Sequence, residues 1–152
     1  MHVPEPAIPA IDYQQLFARN RTIAVVGLSA KTDRPSHEVA RAMQAYGYRI
    51  IPVNPMLAGT YILGEHCYPT LTEAATALRT DGVEIDIVNC FRKSADIAPI
   101  AEEAIAIGAR VLWMQMGIVN QLAATKARAA GLQVVMDRCI KLDAALFLNR
   151  MP

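Results

Sequence analysis

A chain of 152 residues that is 53% hydrophobic and 19% charged can bury a core without metals or disulfides and can supply buried parallel strands. Fifteen basic against fourteen acidic residues leave a net charge of +1, which excludes bulk attraction to nucleic acid or membrane and makes any basic function local. Cys67, Cys90 and Cys139 contain no CxxC pair, no run reaches the roughly 20 apolar residues of a membrane span, and the start has no signal-peptide core, so residues 1–152 are expected to be one cytoplasmic domain with reduced thiols.

In residues 1–10, Pro4, Pro6 and Pro9 favour an extended arm, and 11–18 read as a short helix anchored by Leu16 and Phe17. A β-branched run at 22–26 predicts the first strand, which stops at Gly27. Small, polar and basic residues follow, and the spacing of Val39, Met43 and Tyr46 predicts a helix over 36–45, closed by Gly47. The second strand, 48–53, ends at Asn54-Pro55. Residues 56–69 read as a loop with one short edge strand at 60–62. Thr70 and Glu73 have the spacing of a capping box for a helix to 78, and the third strand is predicted at 85–89. Ser94 is placed as the cap of the next helix, whose Ile97, Ile100, Ala104 and Ile107 share a face. A fourth strand at 111–114, a helix capped by Asn120 and ended by Gly131, a fifth strand at 132–136 and a final helix or ordered tail at 140–148 complete the chain. Strands alternating with helices predict an α/β fold with a five-stranded, mainly parallel sheet and right-handed crossovers.

In such a sheet ligands bind beyond the carboxyl ends of the strands. Those ends carry Gly27-Leu28-Ser29, Asn54-Pro55, Cys90-Phe91-Arg92-Lys93, Gln115-Met116-Gly117 and Asp137-Arg138-Cys139, while the strands between are almost wholly apolar. Gly27 allows a tight turn and close approach to a ligand, and the helix that follows points its free N–H groups at the same loop. The dinucleotide fingerprint GxGxxG is not met, because Ser29 and Thr32 stand where its second and third glycines would be. Asn54 also stands where an acidic residue would bind a ribose diol, which counts against NAD. Ser29, Lys31, Arg34 and Ser36 instead suit phosphate oxygens, and Arg92 and Lys93 add positive charge on the same edge. A ligand with several phosphates, one of them on the ribose, fits this set better than a bare diol.

The segments Val26-Gly27-Leu28-Ser29, Asp33-Arg34-Pro35-Ser36-His37, Ile51-Pro52-Val53-Asn54-Pro55, Trp113-Met114-Gln115-Met116-Gly117 and Val135-Met136-Asp137-Arg138-Cys139 resemble the small stand-alone CoA-binding protein family. That family is similar to the N-terminal CoA-binding domain of the succinyl-CoA synthetase α subunit, and the likeness covers residues 11–148. The resemblance implies a three-layer α/β/α Rossmann-like domain with CoA or an acyl-CoA across the strand edge. By position it gives Gly27, Ser29, Lys31 and Arg34 to the nucleotide phosphates, and Asn54 and Pro55 to the ribose. It likewise gives Phe91 and Arg92 to the adenine, and Gln115 and Gly117 to the pantetheine arm. The synthetase reaction is not implied, since it uses a phosphorylated histidine in a second domain. Here His2 lies in the arm, His37 near a helix start and His66 in the irregular loop.

Catalytic alternatives are sparse. Cys139 beside Arg138 would be an activated thiol if the two side chains met, but no histidine is expected on that edge to act as its base. Asp137 and Asp143 are too isolated for an acid–base pair, His37 reads as an exposed helix residue, and Trp113 and the methionines read as core. The expectation is a binding module without catalytic residues or metal; an NAD(P)-dependent enzyme with an atypical loop is the competing reading. The proline arm and Leu146-Phe147-Leu148 are candidates for docking a second copy or a partner enzyme.

Overall fold

The computed structural model describes residues 8–148. In chain order its elements are α1 (Tyr13–Arg19), β1 (Thr22–Val26), α2 (Pro35–Ala45), β2 (Arg49–Val53), a hairpin of β3 (Tyr61–Ile62) and β4 (Glu65–His66), α3 (Leu71–Arg79), β5 (Ile87–Cys90), α4 (Ile97–Ala106), β6 (Val111–Met114), α5 (Gln121–Ala129), β7 (Gln133–Val135) and α6 (Ile140–Leu148). The main sheet is parallel throughout, in the order β2-β1-β5-β6-β7.

Both faces of the sheet are covered, as the apolar strands require. Alternate residues divide between two cores, as the two-residue strand period dictates. Ala24, Val26, Ile51, Val88, Leu112 and Val134 pack with the apolar sides of α3, α4 and α5. Ile23, Val25, Ile50, Ile87, Trp113 and Val135 pack on the other face with α1, α2 and α6. The result is the expected three-layer α/β/α Rossmann-like fold. Trp113 is core, as the sequence indicates, and it anchors an aromatic cluster with Tyr13 and Phe17.

Two local features depart from the sequence-based expectation. Within residues 56–69 the expected edge strand, β3, is joined by a second strand, β4, in an antiparallel hairpin, because Leu63 (φ 54°) and Gly64 (φ 78°) both take the left-handed conformation of a tight two-residue turn. Ser94 does not cap α4. Its hydroxyl accepts from the Val119 N–H at 3.0 Å and its carbonyl from the Asn120 side chain at 3.0 Å, tying the loop after β5 to the loop after β6. Tyr46 stands exposed at the C-cap of α2, one residue past the predicted helix end. Thr70 and Asn120 do cap α3 and α5, accepting from the N–H groups of Glu73 and Ala123. The arm expected at 1–10 lies mostly outside the described residues. No helix among the described residues is long and apolar enough to cross a membrane.

Candidate functional site

The chain runs outward from β1 to β2 and then returns to add β5 on the other side of β1. The loops after β1 and β5 therefore diverge, and a crevice opens at the carboxyl ends of these two strands. Gly27 sits at its centre. Its N–H donates to Val53 O at 2.8 Å, while the Phe91 N–H donates to Val26 O at 2.9 Å. Gly27 has φ +89°, and a Cβ there would lie 2.9 Å from Phe91 O and 3.0 Å from Arg92 Cδ. The missing Cβ leaves room for the β5 loop to approach this closely.

Two clefts share Gly27 as a wall. The first, of about 460 Å³, is lined by Gly27, Ser29, Lys31, Arg34, Ser36 and Phe91. The loop is shaped by its own hydroxyls: Ser29 N–H donates to Ser36 Oγ at 3.0 Å, and Lys31 N–H to Ser29 Oγ at 3.1 Å. Each hydroxyl, used as an acceptor, keeps its own hydrogen to donate. Arg34 stands at the N-cap of α2 and makes no capping bond, and Pro35 occupies the first turn. The N-terminal N–H groups of α2 thus have no side-chain cap, and the dipole favours an anion there. Lys31 and Arg34 make no ion pair among the described residues.

The second cleft, of about 310 Å³, lies on the α3 and α4 side of Gly27. Pro55, Pro69, Pro99 and Ile100 give it rigid apolar walls, and Arg92, Asp96 and Glu103 give it charge. Pro69, Asp96, Pro99 and Glu103 were not legible as site residues, since they belong to the beginnings and flanks of helices whose crossing places them there. A third hollow of about 280 Å³ lies by the start of β7 beside Ile8, Ile11 and Leu132, away from these loops.

Of the residues singled out from sequence, Gly27, Ser29, Lys31, Arg34, Ser36 and Phe91 meet in the first cleft, and Pro55 and Arg92 in the second. Three others lie elsewhere. Asn54 Nδ2 donates to Leu28 O and its Oδ1 accepts from the Met56 N–H, each at 3.0 Å, so this side chain fastens the β1 loop to the β2 loop. Gln115 is buried, and its Oε1 accepts from Asn89 Nδ2 and from the Ile140 N–H at 3.0 Å each. Gly117 N–H donates to Asp137 Oδ1 at 2.6 Å.

Near Cys139, Arg138 is committed to Asp143 through two bonds of 2.7 Å and lies over the Tyr13 ring at 4.9 Å from its centre. Hydrogen bonding to Asp143 raises the Arg138 pKa further. His37 is not the exposed residue expected: it is buried on the flank of α2, and its Nδ1 has no hydrogen-bond partner among the described residues. Burial pushes the Cys90 thiol up to about 12 and raises that of Cys67. Among the described residues no three His, Cys, Asp or Glu side chains are grouped to hold a metal ion.

Comparison with known proteins gives concordant matches. The family profile described as "CoA binding domain" matches residues 21–145. The uncharacterized protein YneT of Bacillus subtilis (strain 168) is 41% identical over 135 residues, 89% of this chain and 93% of that one. A hypothetical protein from Pyrococcus horikoshii OT3 superposes with a TM-score of 0.82 at 31% identity, covering 97% of this chain and 99% of the other. A protein from Thermus thermophilus does so with a TM-score of 0.78 at 30% identity, covering 90% and 99% of the two chains.

Proposed function

This chain belongs to the CoA-binding domain family, and from that premise we propose that it is a binding module for CoA or an acyl-CoA. The diphosphate rests on the uncapped first turn of α2, held by the hydroxyls of Ser29 and Ser36 and by the charges of Lys31 and Arg34. The adenosine end crosses Gly27 into the second cleft, where Pro55, Pro69 and Pro99 offer flat apolar surface to a base. The observation that carries this reading is the junction of an anion-accepting helix end and a proline-walled slot across one glycine. The pantetheine arm runs outward along the loops after β6 and β7, with Gly117 at its border and Gln115 supporting the loop from beneath.

The role is binding rather than catalysis. Arg138, the group that would activate Cys139, is spent on Asp143, and Asn54, in the place of a ribose-binding acid, is spent on two backbone groups. Calorimetric titration of the reduced protein with CoA and NAD in parallel tests the reading. Micromolar binding of CoA supports it. NAD binding without any response to CoA would replace it with the dinucleotide enzyme.

A further inference from the structure

We propose that Arg92 selects a ligand carrying a phosphate on its ribose, and that Asp96 holds Arg92 in reserve until that phosphate takes its place. The inference rests on the reading that CoA occupies the two clefts.

Arg92 is built into the junction. Its Cδ packs where Gly27 lacks a Cβ, so the side chain leaves the β5 loop, crosses the glycine and enters the second cleft. It is the single cation on that cleft's described lining, which also carries Asp96 and Glu103. Its hold on Asp96 is loose: Nε lies 4.0 Å from the carboxylate, with the two side chains 42% and 47% exposed. Arg138, by contrast, grips Asp143 through two bonds of 2.7 Å. An exposed pair at that distance contributes little and is readily exchanged. No hydrogen bond from the Arg92 guanidinium is formed among the described residues, so its planar fork is open to a doubly charged phosphate.

The remaining charges say which phosphate this is. The ligand's diphosphate is served in the first cleft by Lys31, Arg34 and the α2 end, on the opposite side of Gly27. Glu103 accepts from Thr72 Oγ1 at 2.9 Å, and together with Asp96 it makes the second cleft repel an anion everywhere except at Arg92. An anion reaching Arg92 must therefore project from the nucleoside end of the ligand. A ribose phosphate is such a group. A nucleotide with only a diphosphate leaves Arg92 on Asp96 and gains nothing from it.

The test compares CoA with 3′-dephospho-CoA by calorimetry on the full chain and on Arg92→Ala and Asp96→Asn. The unmodified protein is expected to prefer CoA by about tenfold or more, the worth of a charge-assisted bond. Arg92→Ala removes that preference by weakening CoA alone, leaving dephospho-CoA within about twofold. Asp96→Asn, which frees Arg92, strengthens CoA several-fold and leaves dephospho-CoA unchanged. Equal loss of both ligands in Arg92→Ala, or no gain for CoA in Asp96→Asn, overturns the selection role while leaving CoA binding intact. Failure of the unmodified protein to bind either ligand overturns both readings. Including 2′,5′-ADP and 3′,5′-ADP distinguishes an NADP-type from a CoA-type ribose phosphate; a preference for the 2′ isomer would overturn the assignment to CoA.

Discussion

A methyl group at position 27 would meet the Phe91 carbonyl oxygen at 2.9 Å while forcing φ +89° on a residue with a Cβ. Neither strain can relax cheaply, because the clash is with backbone and the Val53 and Val26 hydrogen bonds fix both strands. Gly27→Ala is expected to destabilise the fold by about 2–3 kcal/mol, read as a lower urea midpoint, and to weaken CoA by displacing the Arg92 stem. Gln115 acts differently. Replacing it by Leu leaves the Asn89 amide and the Ile140 N–H unpaired in a buried place, at a cost of about 2–4 kcal/mol. Its CoA affinity should stay within about twofold; a loss of affinity with unchanged stability would return Gln115 to the ligand. The contrast explains what was legible. Ser29, Lys31 and Arg34 follow a strand end and precede a helix start, so their place in one loop was legible in the sequence. A polar residue ending a strand can turn to a ligand or to the next loop, and for Asn54 and Gln115 only the tertiary neighbours decide.

At the scale of elements, the proposed phosphate site rests on α2. Its first turn lacks a capping side chain because Arg34, not Ser or Asp, occupies the N-cap, and that omission leaves N–H groups for an anion. Arg34→Ala should weaken CoA about tenfold or more, while Lys126→Ala, which breaks only an exposed pair with Glu102 between α4 and α5, should leave affinity unchanged. Equal effects in titration would remove Arg34 from the site. Strand positions followed from apolar runs bounded by turns, and they lie within two residues of the observed ends. The second strand of the hairpin, β4, did not, because Leu63 adopts a left-handed turn that its side chain disfavours. Ser94 was misplaced for a similar reason: a hydroxyl before a helix is the usual cap, yet here the β6 loop is close enough to claim it.

For the molecule as a whole, the two buried cores set the response to alkali. Burial raises Cys90 from 9.0 and Tyr48 from 10.0, each to about 12, the Tyr48 hydroxyl also donating to Phe17 O at 2.6 Å. Both groups stay protonated in the folded chain at a pH where the unfolded chain has released them. Their stabilising effect is therefore complete below pH 9 and is lost as pH rises toward 12. Urea unfolding between pH 8 and pH 11 should give a falling midpoint, and Cys90→Ala should make the fall shallower and shift its onset toward the tyrosine range.

The order of strands carries one more consequence, in time rather than in space. The β1–β2 pair closes over a local crossover, but β5 joins β1 only by bringing together residues as far apart as Thr22 and Asp86, 64 positions along the chain. Closing so long a loop is costly before its contacts form. The crossing of Gly27 beneath Phe91, and with it the completion of both clefts, comes only at that step. A nascent chain released before Cys90 has emerged can own three helices, a hairpin and two paired strands and still lack the wall that Phe91 and Arg92 give the two clefts.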